Sequence, residues 1–107
     1  MELENKIKEL IAAIRKTEEY REYTLQKNKL MAQPEIYDQV NDFRRENFEL
    51  QSMVAEDELL EKQEDLSDRY ENLLDIPMVS DFLDAENAFV KLMKEVNMSI
   101  VQGIDFE

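Results

Sequence analysis

Residues that form turns are scarce in this chain of 107 residues. Glycine occurs once, at Gly103, and proline occurs twice, at Pro34 and Pro77. A sheet protein needs a turn about every ten residues, and its turns are built mainly from Gly, Pro, Asn and Asp. The sequence therefore predicts long helices joined by few links, in a single helical domain that spans residues 1–107.

The two prolines mark boundaries between helices. Proline fits the first turn of a helix, where its missing N–H costs nothing, and it disfavours helical geometry in the residue before it. Helices are therefore expected to begin at Pro34 and at Pro77. The last helix is expected to end at Gly103, because glycine is the usual residue just past a helix C-terminus.

Apolar side chains recur every three or four residues, as one face of an amphipathic helix requires. The stripes of residues 34–54 and 57–74 are out of phase, which predicts a break near residues 55–57. The main stripe positions are Leu3, Ile7, Leu10 and Ile14; Ile36, Val40, Phe43, Leu50 and Val54; Leu59, Leu66, Tyr70 and Leu73; and Met78, Phe82, Ala85, Phe89, Leu92, Val96 and Ile100.

These patterns predict an all-α fold of three long antiparallel helices. The middle helix is broken near residues 55–57, so that three or four helices result, and short links make consecutive helices antiparallel. A helix of about 30 residues is about 45 Å long, so an elongated bundle is expected. One small chain does not cover stripes of that length, and this predicts self-association or a helical partner.

The chain is acidic, but its charge is unevenly distributed. The formal net charge is −13, with +1 over residues 1–33 and −14 over the remainder. Such an excess of carboxylates disfavours direct binding to nucleic acid or to an anionic membrane. It favours either plain solubility or a partner with a basic surface. No signal-peptide pattern and no membrane span is evident, so a cytoplasmic protein is expected.

The residue types of most active sites are missing. The chain has no histidine and no cysteine, from which catalysis at neutral pH usually starts. Without cysteine there is no thiolate ligand for zinc or for an iron–sulfur cluster. One glycine cannot form a phosphate-binding loop. No catalytic residue, cofactor site or metal site is predicted, and the chain is expected not to be an enzyme.

Seven side chains are candidates for a protein–protein interface. Arginine and aromatic residues are enriched in interfaces, and an asparagine within an apolar stripe can fix the choice of partner. Arg44 has the alternative of pairing with neighbouring carboxylates, and Asn47 that of lying in water at the edge of the stripe. The candidates are Tyr37, Phe43, Arg44, Asn47, Phe82, Phe89 and Met93.

Two segments resemble the signatures of a known family. The segment PEIYDQVNDFRRENFELQ, residues 34–51, combines a proline that opens a helix with an aromatic–Arg pair and a Leu-Gln end. The segment IPMVSDFLDAENAFVKLMKEVNMSI, residues 76–100, is similar to a C-terminal helix pattern at Pro77, Phe82, Leu83, Ala85, Glu86 and Leu92. Together with a similar N-terminal helix, they resemble the YlbF/YmcA group of small helical proteins from Gram-positive bacteria.

The resemblance implies an all-helical protein that associates into oligomers. Members of the group regulate competence, biofilm formation and sporulation, in a complex with each other and with a further protein that assists an endoribonuclease in maturing messenger RNA. The iron–sulfur clusters of that complex are held by cysteines, which this chain lacks.

The expected role is a regulatory adaptor that binds copies of itself, family paralogues or ribonuclease-associated proteins through helix-to-helix contacts. Two alternatives remain open from the residues. One is a structural homo-oligomer whose stripes are satisfied by self-pairing, and the other is an acidic protein that binds a basic partner surface.

Overall fold

The computed structural model describes residues 1–53 and 55–104, and nearly all of these are helical. The helices are α1 (Glu2–Arg15), α2 (Glu18–Met31), α3 (Pro34–Met53), α4 (Glu56–Arg69), α5 (Glu71–Leu74) and α6 (Pro77–Ile104). The described ranges contain no strand. The all-α prediction is confirmed. The prediction of three or four long helices is wrong, because two further breaks divide the described ranges into six helices.

The two prolines begin helices as predicted. Helix α3 starts at Pro34 and α6 starts at Pro77. The prediction for Gly103 is wrong, since α6 continues through this residue to Ile104. No atom lies within 4 Å of the position that a side chain would occupy at Gly103. Neither packing nor a turn therefore requires a glycine there.

The predicted break near residues 55–57 is present and reverses the chain. Helix α3 ends at Met53, and Ala55 is extended (φ −61°, ψ 146°) before α4 begins at Glu56. Helix α3 packs against α4 and α5. Residue numbers rise along one helix as they fall along the other, so α3 and α4 form an antiparallel hairpin. The predicted stripe position Val54 lies outside the described residues.

The first unpredicted break separates α1 from α2 at Thr17. The hydroxyl of Thr17 donates to the carbonyl oxygen of Ile14 (2.6 Å) and accepts from the backbone N–H of Tyr20 (3.2 Å). The same side chain thus helps to close the end of α1 and caps the start of α2. The predicted helix over residues 1–32 is divided for this reason.

The second unpredicted break lies at Tyr70, between α4 and the single turn of α5. The backbone of Tyr70 departs from helical geometry (φ −106°, ψ 17°). Its N–H still donates to the carbonyl oxygen of Leu66 (3.2 Å), and its own carbonyl oxygen accepts from Leu74 (2.9 Å). The helical backbone is therefore distorted at Tyr70, but the chain does not reverse its direction there.

Backbone contacts divide the chain into two compact units. The first unit comprises residues 1–27 and the part of the chain from Phe82 onward, and the second comprises residues 28–81. Buried apolar side chains of the first unit are Phe82 and Ala85, and those of the second are Leu30, Val40, Leu66, Leu73 and Val79. The prediction of a single domain stays a prediction.

Candidate interaction surfaces

Four of the seven predicted interface residues lie on α3, and all four are half-buried: Tyr37, Phe43, Arg44 and Asn47. The ring of Phe43 meets the ring of Tyr70 edge-on, with centroids 5.3 Å apart. The guanidinium of Arg44 donates to the side-chain oxygen of Asn41 at 3.1 Å. Part of the surface of each of these residues is covered, and part remains accessible.

A small polar cluster ties α3 to the end of α4. The hydroxyl of Tyr70 donates to a carboxylate oxygen of Glu46, and the other oxygen lies 3.4 Å from the guanidinium of Arg69. The hydrogen bond from Tyr70 lowers the pKa of Glu46, and the same bond raises the pKa of the Tyr70 hydroxyl. Both groups thus keep their ordinary charge at neutral pH, which suits a structural contact.

The remaining predicted residues lie on α6, in the first unit. The ring of Phe89 stacks on the ring of Tyr23 (5.4 Å between centroids, 12° between planes) and approaches Tyr20 at 5.5 Å. Met93 is half-buried. Phe82 is 0% exposed and contacts Tyr23. Burial assigns Phe82 to the core, so its side chain offers no surface to a partner.

Exposed apolar side chains are concentrated on α1 and on the second half of α6. No residue of α1 is buried, although its apolar side chains follow a helical stripe. Leu10 of α1 lines an open groove of about 430 Å³ together with Leu92, Val96 and Ile100 of α6. Further exposed apolar residues of these two helices are Leu3, Ile7, Ile11, Val90, Ile100, Val101 and Ile104. This set is called the α1–α6 surface.

A second open groove, of about 410 Å³, lies between α3 and α4. Its apolar residues are Leu50, Leu66 and Met53, of which Met53 is 82% exposed. The charged residues along it are Glu46, Glu49, Lys62, Asp65 and Arg69. This feature is called the hairpin groove.

Sequence reasoning missed two exposed apolar residues of α3. Phe48 is 70% exposed and Met53 is 82% exposed. Phe48 lies outside the stripe that contains Val40, Phe43 and Leu50. A large aromatic residue outside the apolar stripe of a polar helix is the signal that would have identified it.

The parts of the chain that the structure describes give no support for a metal site or for a membrane span. There, no group of three or more acidic side chains is arranged to hold a metal ion. Among these residues, no helix is both long enough and apolar enough to cross a lipid bilayer.

Comparison with known proteins identifies a family. The family described as "Control of competence regulator ComK, YlbF/YmcA" matches residues 3–105, which is nearly the whole chain. No curated protein and no solved structure matches the chain. The matched range includes both segments, residues 34–51 and 76–100, that carry the resemblance.

Proposed function

The chain belongs to the YlbF/YmcA family, and from this premise we propose that it is a non-enzymatic regulatory adaptor that acts through contacts between helices. The family is described as a regulator of competence control rather than as an enzyme. The observation that carries the proposal is the α1–α6 surface. An amphipathic helix that buries no residue in its own chain is expected to be covered by another protein.

A second copy of the chain is the partner proposed for this surface. The segment of α1 and α2 runs antiparallel to α6, since Leu10 of α1 lies near Val96 whereas Tyr20 of α2 contacts Phe89. Two antiparallel helices form one layer, and an apolar face needs a second layer to cover it. The same two helices of another copy complete a four-helix bundle through a symmetric interface.

The charge of α1 supports self-association. Its three acidic residues, Glu2, Glu4 and Glu9, are balanced by three basic residues, Lys6, Lys8 and Arg15. The charged side chains of α1 sum to zero, so two copies of this helix are not repelled by a net charge. Apolar contact between uncharged faces is weakened little by salt, so the oligomer is expected to persist in about 1 M salt.

The test is the mass of the protein in solution, measured by light scattering during size-exclusion chromatography. Ile7→Glu and Ile100→Glu each place a charge in the α1–α6 surface, and both variants are expected to be monomers where the wild type is a dimer or larger. The matched control is Asn5→Glu, which adds the same charge to an exposed position of α1 about 200° around the helix from Ile7. A wild-type monomer at all concentrations, or equal effects of Ile7→Glu and Asn5→Glu, contradicts the proposal.

The proposed pathway is control of competence, biofilm formation or sporulation through messenger-RNA processing. Its test is native purification of the tagged protein from its host, followed by mass spectrometry. Recovery of a family paralogue or of ribonuclease-associated proteins supports the adaptor role. Recovery of the chain alone, at a fixed stoichiometry that survives about 1 M salt, favours the structural homo-oligomer instead.

A further inference from the structure

The hairpin groove differs from the α1–α6 surface in charge. Helix α4 has two basic residues, Lys62 and Arg69, and seven exposed carboxylates: Glu56, Asp57, Glu58, Glu61, Glu64, Asp65 and Asp68. Residues 28–81 as a whole have fifteen acidic and five basic side chains, a formal net charge of −10. Charge of one sign at this density repels a second copy of the same groove. The occupant favoured by charge is therefore cationic.

The shape of the groove fits a helix. It runs between two antiparallel helices, α3 and α4, and a third helix can pack its side-chain ridges into such a depression. Leu50 and Leu66 form the apolar floor, and the side chain of Met53 is 82% exposed beside them. Helix α4 has 14 residues and is therefore about 21 Å long. An amphipathic helix of similar length would cover the floor.

The rims of the groove distinguish a protein helix from nucleic acid as the occupant. Arg69 already lies 3.4 Å from Glu46. Glu49 on one rim and Asp65 on the other leave carboxylates on both sides of an apolar floor. Phosphates would be repelled by these carboxylates and would gain nothing from leucine side chains. A helix with lysines or arginines beside an apolar stripe can pair with the carboxylates of the rims and pack on the apolar floor.

We propose that the hairpin groove docks a basic amphipathic helix of another protein. The inference rests on the proposed adaptor function and specifies the chemistry of its partner. The apolar stripe of that helix packs on Leu50 and Met53, above the buried Leu66, and its basic residues lie against Glu49, Asp65 and the outer carboxylates of α4. The α1–α6 surface then serves self-association, while the hairpin groove serves the second protein.

The probe is a fluorescent synthetic peptide of about 14 residues, composed of leucine and lysine, with leucines spaced at i, i+3, i+4 and i+7. Its binding to the full-length protein is followed by fluorescence anisotropy. A second peptide has glutamate at every lysine position. The wild-type protein is expected to bind the lysine peptide, with an affinity that falls as salt rises, and not to bind the glutamate peptide.

Two pairs of variants test whether the groove is the site. Glu61→Lys/Asp65→Lys is expected to weaken binding at least about tenfold. The control Glu2→Lys/Glu4→Lys makes the same change in net charge on α1 and is expected to change binding less than about twofold, because neither residue lines the groove and salt screens charges that do not contact the peptide. Met53→Ser is expected to weaken binding several-fold, whereas Leu60→Ser, an exposed residue of α4 that does not line the groove, leaves it unchanged.

Several results would overturn the inference. These are absence of binding by the wild type, equal losses in the two charge-reversal variants, or equal effects of Met53→Ser and Leu60→Ser. Loss of self-association in Glu61→Lys/Asp65→Lys would identify a second copy as the occupant and would also overturn it. Failure of the proposed self-association is recognised separately, because Ile7→Glu then leaves the mass unchanged while the peptide result still decides the role of the groove.

Discussion

At the scale of single residues, side-chain hydrogen bonds lie at two of the breaks between helices, at Thr17 and at Tyr70. Thr17 divides a segment that its composition favours as one helix, because its hydroxyl contacts both the carbonyl oxygen of Ile14 and the N–H of Tyr20. Tyr70 lies at the other unpredicted break and bonds to Glu46 on α3. The first contact is local in sequence, whereas the second joins residues 24 positions apart.

We predict that Thr17→Ala lowers the free energy of unfolding by about 1 kcal/mol, the usual loss when a helix cap is removed. Thr17→Ser keeps the hydroxyl and is expected to retain most of the stability. Urea denaturation followed by circular dichroism measures both variants. If the two substitutions cost the same, the methyl group of Thr17 rather than its hydroxyl is responsible.

The contact between Tyr70 and Glu46 predicts a pH dependence. The lowered pKa of Glu46 adds stability above its ordinary value near 4.5, and that stability is lost as pH falls through the lowered pKa. The raised pKa of Tyr70 adds stability below its ordinary value near 10.0, and that is lost as pH rises through the raised pKa. Tyr70→Phe is therefore expected to destabilise the protein most around neutral pH.

Thermal unfolding across the pH range checks this prediction. The difference in melting temperature between wild type and Tyr70→Phe should shrink toward both extremes of pH. The control is Tyr37→Phe, which removes a hydroxyl from a half-buried tyrosine nine positions from Glu46 along α3. A constant difference for Tyr70→Phe, or the same pH profile for both variants, would contradict the assignment of the effect to Glu46.

At the scale of the elements, helices with similar apolar stripes are buried to different extents. The stripe of α6 includes Phe82, which is completely buried. The stripe of α1 buries no residue. The periodicity of both helices is alike, so periodicity predicts which face is apolar but not what covers it. The difference arises because Tyr23 of α2 covers Phe82, whereas the residues that the structure describes leave every residue of α1 unburied.

We predict that Phe82→Ala lowers the free energy of unfolding by about 3–5 kcal/mol, the usual cost of removing a buried aromatic ring. Phe48→Ala removes the same group from a side chain that is 70% exposed and is expected to cost less than about 0.5 kcal/mol. Urea denaturation of both variants measures the contrast. A large loss for Phe48→Ala would mean that another chain covers this residue in solution.

At the scale of the whole molecule, each of the two units contains one of the proposed binding surfaces, and the two units differ in net charge. The first unit contains the α1–α6 surface and has a formal net charge of −3, with eleven acidic and eight basic residues. The second unit contains the hairpin groove and has a formal net charge of −10. Nearly balanced charge permits pairing of identical surfaces, while a strongly acidic groove selects a cationic partner. Variants in one surface are therefore expected to leave the other contact intact.

Much of this protein could be predicted from its sequence. The all-α fold, the helix starts at Pro34 and Pro77, the break near residues 55–57 and the family all follow from composition, local pattern and resemblance. These features are accessible because each backbone hydrogen bond of a helix joins residues four positions apart. The acidic character follows from composition in the same way and limits the partners that charge allows.

The tertiary structure decided which residues are available to a partner. It buried Phe82, a predicted interface residue, and it left Phe48, Met53 and the stripe of α1 exposed. It also placed Tyr70 against Glu46 at the second unpredicted break. Burial depends on contacts between residues far apart in the chain, and a periodic pattern in one helix contains no information about which other helix lies against it.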